Sequence, residues 1–397
     1  MGTVRYNYYR DVFNSVPMPF AFVDLDCFDA NIHAILARAN GKFIRLASKS
    51  LRCVELLRRI LSASGQFQGI MSYSVREALF LAEHGFEDIL VAYPAWREVD
   101  TPAFRHALER GTSITLMVDC ADHVERLERM GAETGAVIPL CMDLDMSARY
   151  PGLHFGVLRS AIRTTKDALA LWDVIRHCPH VSLEGVMGYE AQVASLPDRI
   201  PGKSMRTLAL RYLKRQSVSL AAARRGEIVS ALREAGWNPG FVNGGGTGSM
   251  ETTCADPIVS EITVGSGFFA PTFFDHYDAF HLQPAAGFAI EIVRQPRAGC
   301  YTCHGGGYIA SGAAGPDKLP VPYLPEGARL SAHEGAGEVQ TPVFYTGPEK
   351  LNLGDPIFMR HGKAGELCER FNTLLLVSEG RIVDEMPTYR GEGQCFV

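Results

Sequence analysis

The stretch KFIRLASKSLRC, Lys42–Cys53, is where the fold can first be read. Phe43, Ile44, Leu46 and Ala47 form an apolar run of strand length, which stops at Lys49 between Ser48 and Ser50. The period then changes. In SLRCVELLRRIL the apolar residues recur three and four positions apart, which predicts an amphipathic helix. A lysine at the mouth of a strand is either a solvated strand end, as most lysines are, or an amine presented for nucleophilic or Schiff-base chemistry. The window alone leaves both readings open.

Outward from this point the same unit repeats. FAFVDLD precedes the helical CFDANIHAILARAN, FQGIMSY precedes SVREALFLAEHG, DILVAYP precedes DTPAFRHALERG, and SITLMVD precedes CADHVERLERMGAETG. AVIPLCMDLD, VSLEGVMGY, GFVNGG and EITVGSG carry the strand series to about residue 265. Short apolar strands, each followed by a helix, make a parallel sheet. Eight or nine units in roughly 250 residues predict a closed α/β barrel of the (β/α)8 TIM type. An open dinucleotide fold is disfavoured, because no G-x-G-x-x-G follows the first strand. After about residue 280 the texture changes: GFAIEIVRQP, GEVQTPVFYTG, DPIFMRHG and NTLLLVSEGRIVDEMPTYRG are strand-sized pieces between Gly/Pro-rich turns. The expected division is a barrel over 1–280, with 1–18 able to pack on the second domain, and a C-terminal all-β domain over 281–397.

The 397 residues are 47% hydrophobic and 21% charged, an ordinary globular composition with room for both domains. A net charge of −5, with no Lys/Arg run, argues against a nucleic-acid or anionic-membrane surface. No window reaches eighteen uncharged apolar residues, and the N-terminus lacks the apolar core of a signal peptide, so a cytoplasmic protein is expected. The ten cysteines are scattered through apolar segments, as reduced thiols are. CYTCH, Cys300–His304, matches the haem-attachment pattern C-x-x-C-H but has no export signal with it, and reads as a coincidence of composition.

Functional residues of such a barrel gather at the C-terminal ends of its strands, where Lys49 stands. Two glycine-rich turns follow the last strands, NGGGTGS (Asn243–Ser249) and VGSGFF (Val264–Phe269). Loops at that place bind phosphate, since glycine permits close backbone approach, and Thr247, Ser249 and Ser266 add hydroxyls. The pairs Asp24/Asp26 and Asp143/Asp145 read as structural hydrogen-bonding groups at strand ends. An anion pocket and a strand-end amine in one barrel suggest one cofactor that needs both, pyridoxal 5′-phosphate (PLP).

With FVDLDCFDANI, RLASKSLRC, GVMGYEAQ, VNGGGTGS, VGSGFF, EGAGEVQTPV, RHGKAGELCERFN and YRGEG in this order, the chain resembles the fold-type III PLP enzymes. These join an alanine-racemase-like barrel to a C-terminal β-domain. Within them it is most similar to the D-threonine aldolase and D-serine dehydratase branch. The resemblance implies that Lys49 carries the PLP aldehyde, that Gly246, Thr247, Gly248, Gly265, Ser266 and Gly267 hold its phosphate, and that Tyr189 lies beside it. It further implies a lyase acting on a β-hydroxy-α-amino acid of D configuration, by retro-aldol cleavage or by dehydration, in a homodimer. A racemase, with a second base among Tyr301, Tyr308, Tyr323 and Tyr345, and a non-catalytic PLP-binding protein are the alternatives on the same scaffold.

The chain departs from the branch in three places. The R-x-G-V arginine that meets the pyridine oxygen has no direct counterpart, and His154 or Arg149 takes that role. Gln192 replaces a histidine in YEAQ. The relatives' divalent ion (Mn, Mg or Zn) sits on a His-x-Cys or His-x-Asp pair, whereas RHGKAGELCERFN places Cys368 at the cysteine and Glu366 at the histidine, with His361 upstream. His361 and Cys368 are therefore the expected metal ligands. Lys363 and Glu366 are the expected direct contacts to substrate, as carboxylate clamp and base.

Overall fold

A computed structural model describes residues 2–200, 204–312, 315–363 and 365–397. The chain enters through the helix Gly2–Val12 and strand β1 (Phe20–Asp24). Seven further strands follow: β2 (Phe43–Ala47), β3 (Phe67–Ser72), β4 (Ile89–Val91), β5 (Ile114–Val118), β6 (Ile138–Asp143), β7 (Ala148–Tyr150) and β8 (Leu153–Phe155). Then come β9 (Val181–Gly188), β10 (Phe241–Gly244) and β11 (Glu261–Val264). Strands β2, β3, β4, β5, β6, β9, β10 and β11 close into a parallel barrel, as the sequence pattern requires. The helices outside it bury one apolar stripe each, for example Val54, Leu56, Leu57 and Ile60 of Val54–Ala63.

The barrel interior explains two residue choices that periodicity does not. Leu90, Met117, Cys141 and Met187 fill a middle layer. Below them Arg45 is 2% exposed and is held by Glu261 at 2.8 Å and by Asp88 at 2.9 Å. Asn243 adds a bond to Glu261 at 2.8 Å. A side chain at Gly185 would run into the Phe241 ring, and one at Gly69 (φ +67°) into the Arg45 guanidinium. Glycine at both positions leaves the space that these larger groups fill. A buried cation with its partners in place specifies one packing arrangement, and removing one partner costs about 3–5 kcal/mol.

The second sheet contains β12 (Ala286–Arg297), β13 (Cys300–His304), β14 (Val321–Leu324), β15 (Arg329–Leu330), β16 (Gln340–Phe344), β17 (Pro356–Arg360), β18 (Thr373–Ser378) and β19 (Arg381–Pro387). Its order is β15-β16-β13-β12-β1-β18-β19, with β17 bonded to β12 and β14. Thus β1, which reads from sequence as the first barrel strand, pairs instead with β12 (antiparallel) and β18 (parallel). The reason is physical. All five of its residues are buried, and a strand covered on both faces carries the same pattern whichever sheet it joins. What decides the sheet is an aromatic cluster of Tyr9, Phe13, Phe20, Phe22 and Phe358. Tyr9 also donates to Asp24 (2.5 Å), and Tyr6 donates to the Pro356 carbonyl (3.2 Å), so the first helix packs on this sheet. Cys300 and Cys303 lie buried in β13 as free thiols.

Candidate active site

A cavity of about 150 Å³ opens at the C-terminal end of the barrel strands. Lys49, Tyr189, Gly246, Thr247, Gly265, Ser266 and Lys363 all line it, so residues far apart in the chain converge as expected.

Lys49 is presented by a single helical turn, Ser48–Ser50, where β2 ends. Ser48 donates to the Met71 carbonyl at 3.0 Å, and Ser50 and Ser266 share a hydrogen bond at 3.2 Å. Arg52 has a left-handed backbone (φ +47°), and its Nε donates to the Lys49 carbonyl at 3.0 Å. The same guanidinium pairs with Glu369 of the second domain. Gly365 (φ +103°) presses on the Lys49 carbonyl so closely that a Cβ would collide with it. The backbone of the turn is therefore fixed from both domains. The Lys49 amine itself is exposed to the cavity and, among the described residues, has no hydrogen-bond or ion-pair partner. Behind the turn lies a buried carboxyl that sequence reading missed, Glu77. It accepts from the Tyr73 N–H at 2.8 Å, and burial pushes its pKa up to about 7.

The two glycine-rich turns form the opposite wall. Gly245 has φ +73°, and a Cβ on Gly246 would lie 3.1 Å from Ala194. A Cβ on Gly265 would lie 2.7 Å from the Ala47 carbonyl oxygen and 2.8 Å from Ser50. Only glycine lets these loops close round a small concave space. Gly267 donates its N–H to Thr247 Oγ1 at 3.2 Å and so ties one loop to the other. Gly248 packs against Ala194 and Tyr277; neither it nor Gly267 lines the cavity. Behind this wall Arg225 binds Glu190 at 3.0 Å and Asp256 at 2.6 Å, and Gly245 donates to Glu190 at 3.2 Å. The acidic groups are thus spent on the support, and no Asp or Glu lines the cavity.

Between the walls stand Tyr189 and Arg159. The Tyr189 hydroxyl is 2.6 Å from Ser195 Oγ, and burial raises its pKa. Arg159 sits 5.3 Å from the Tyr93 ring centre and 5.8 Å from that of Tyr189. Its Nε donates to Asp143 at 3.0 Å and its Nη2 to the Ala92 carbonyl at 3.1 Å. Burial pushes Asp143 up to about 6 against the opposing pull of Arg159. Arg149 and His154, expected beside the pyridine, pair instead across the β7–β8 hairpin, where both are exposed and outside the cavity lining. Arg159 is the arginine that reaches the cavity. The signal was present in GVLRS, downstream of the expected motif position rather than upstream. Gln192 is buried and donates to the Met146 carbonyl at 2.6 Å, away from the cavity lining.

Among the described residues of the loop after β17, Lys363 is the one that lines the cavity. Burial lowers its pKa, and the nearby Lys49 lowers it further. Glu366 lies outside the lining and accepts from the Ser311 N–H at 2.8 Å. His361 is fully buried, its ring edge-on to Phe269 at 6.1 Å, with neither nitrogen hydrogen-bonded. Burial lowers its pKa to about 3. Cys368 is also fully buried, beside Cys53, Arg52 and Glu369, and burial pushes its thiol far up. The expected metal ligands thus face different surroundings, and neither lines the cavity. Among the described residues the one trio of His, Cys, Asp or Glu with ligand atoms within 4.8 Å of one another is Asp119, Cys120 and His123. The residues present do not fit a divalent ion at His361 and Cys368.

Comparison with known proteins agrees with this architecture. The 3-hydroxy-D-aspartate aldolase of Paracoccus denitrificans (strain Pd 1222) is 25% identical over 263 residues, 64% of this chain and 61% of that protein. The D-threonine aldolase of an Arthrobacter species is 28% identical over 259 residues, again 64% and 61%. The match therefore spans about 61% of the length of these curated relatives. Among solved structures, D-threonine aldolase from Filomicrobium marinum superposes with a TM-score of 0.78 at 18% identity, covering 95% of this chain and 96% of that one. D-threo-3-hydroxyaspartate dehydratase from Delftia sp. HT23 gives 0.72 at 19% identity, covering 95% and 99%. At such identities the structural likeness speaks for the fold. Residues 23–252 match the family described as alanine racemase, N-terminal domain, and the chain belongs to that family.

Proposed function

We propose that the protein is a PLP-dependent lyase acting on β-hydroxy-α-amino acids of D configuration. It would cleave them to an amino acid and an aldehyde, or dehydrate them to a keto acid and ammonia. One observation carries the reading: an unpaired amine and a cradle of glycines and hydroxyls face each other across a cavity that no carboxylate lines. The activities of the curated relatives, both aldolases of β-hydroxy D-amino acids, support the same substrate class.

The residues fit PLP. Gly245, Gly246, Thr247, Gly265 and Ser266 suit a phosphate, because a Cβ at the glycines would fill the space and the hydroxyls can donate. Lys49 suits the aldehyde. When bound, PLP supplies a carbonyl for the substrate amine and an electron sink for the bond broken at Cα. With PLP held there, the Lys49 amine would hold or return the proton at the substrate Cα. Arg159, held by Asp143, keeps a fixed positive charge in the cavity wall. The Tyr189 hydroxyl, oriented by Ser195, stays protonated and serves as a donor. Pro271, Phe273 and Phe274 exclude water from one side.

The same reading makes the protein a cytoplasmic homodimer. Free cysteines suit a reducing compartment, and no described helix is long and apolar enough to cross a membrane. Met205, Leu208 and Tyr212 form an exposed apolar stripe on the helix Ser204–Glu234, suited to a second copy.

The test is borohydride reduction of the PLP-loaded protein, followed by peptide mass mapping. The pyridoxyl mass is expected on the Lys49 peptide, and aldehyde or keto acid release is expected from D-threonine or D-3-hydroxyaspartate but not from their L forms. A protein that captures no PLP overturns the reading.

A further inference from the structure

Three of the described lining residues have basic side chains, Lys49, Arg159 and Lys363, and none is acidic. Arg159 is already paired with Asp143. Lys49 is committed to the cofactor aldehyde in the proposed function. Lys363 remains, and among the described residues it has neither a hydrogen bond nor an ion pair. A half-buried ammonium on which Glu366 and Asp317 act only from beyond hydrogen-bond and ion-pair distance is an incomplete site.

The loop that carries it is held on both sides. Arg360 makes two bonds to Asp275, at 2.8 and 2.9 Å, and one to the Ala270 carbonyl at 2.9 Å. The carbonyls of His361 and Gly362 accept from Thr272 (3.1 Å) and Phe273 (3.2 Å), two residues of the barrel's last loop. On the far side Gly365 abuts the Lys49 carbonyl. The ammonium is therefore delivered by the second domain to a place fixed against the barrel and near the amine that receives the substrate. Every amino acid substrate brings one anion close to its reacting nitrogen, the α-carboxylate.

We propose, resting on the lyase reading, that Lys363 binds the substrate α-carboxylate. The second domain then supplies its positive charge to the site as an ammonium group, where the His361 and Cys368 geometry offers no place for a metal ion.

The experiment compares PLP-loaded wild type with Lys363→Met and Lys363→Arg. PLP capture on Lys49 by borohydride is expected to be equal in all three. For Lys363→Met, KM for D-threonine is expected to rise about 10- to 100-fold, the range of one charge-assisted hydrogen bond, with kcat within a few fold. Acetate is expected to inhibit the wild type competitively and to lose that effect in Lys363→Met, and Lys363→Arg is expected to restore part of it. Titration with D-alanine, which has no β-hydroxyl, followed by cofactor absorbance, reads the same site without turnover. An unchanged D-alanine affinity and KM in Lys363→Met overturns the proposal, as does loss of PLP capture, which would place Lys363 on the cofactor. A wild type that holds PLP but cleaves nothing sinks the lyase reading alone, and the D-alanine titration still decides Lys363.

Discussion

Two turns meet over the cavity, Ser48–Ser50 from the barrel and His361–Glu369 from the second domain, and they obey different rules. The first is fixed by the sheet. Strand β2 is bonded to β3 on one side and β11 on the other, so whatever follows Ala47 emerges on the C-terminal face. The second is fixed by contacts made residue by residue: Arg360 with Asp275, Gly365 against Lys49, and Cys368 among Cys53 and Arg52. A lysine at a barrel strand end is therefore readable from local pattern. A histidine in an irregular loop is not, because spacing along the chain does not say which way it faces.

The largest way to break the first turn is Lys49→Ala. Capture of PLP is expected to vanish, and turnover to fall by at least about 10³-fold, measured by borohydride labelling and aldehyde release. Next comes Arg159→Met, which leaves Asp143 buried without its counterion. The loss is expected to be about 3 kcal/mol at pH 8 by urea melts. It should shrink at pH 5, since Asp143, already pushed up to about 6, is then protonated and needs no partner. Arg149→Met on the exposed hairpin is the control, with a change of less than about 0.5 kcal/mol.

Most of the fold was legible because parallel barrel strands announce themselves as short apolar runs between helices. The strand β1 was misplaced because burial on both faces erases the difference between a barrel strand and a strand of the other sheet. In the site, the places of Lys49, Gly246 and Gly265 at the cavity were legible from residue type and position, while Gly248 and Gly267 stand outside its lining. Arg159 was not, because its motif position shifted past the hairpin, and the ionic core of Arg45, Asp88 and Glu261 was not, because a buried charge looks like a surface residue in sequence. His361 and Cys368 were read from the resemblance and from ligand chemistry, and both lie fully buried outside the cavity lining.

The two turns also differ in the sign of their pH dependence, and this gives the finest test of the comparison. Glu77, behind the first turn, has a folded pKa of about 7 against an ordinary 4.5. Its folded state holds the proton more tightly, so its contribution to stability is present below pH 4.5 and is lost as pH rises toward 7. His361, in the second, has a folded pKa of about 3 against an ordinary 6.5. Here the unfolded state holds the proton more tightly, so stability is lost as pH falls from 6.5 toward 3. Between pH 4.5 and 6.5 the two slopes oppose each other, each up to about 1.4 kcal/mol per pH unit. Glu77→Gln should remove one slope and leave a protein that weakens with acid across that window. His361→Leu should remove the other, leaving one that weakens with base, and should gain about 1 kcal/mol at pH 6 because two unpartnered ring nitrogens leave an apolar site. Urea melts at three pH values on each variant decide it. Parallel shifts without a change of slope would mean that neither group's pKa differs between the folded and the unfolded protein, and that the two turns differ in packing but not in charge.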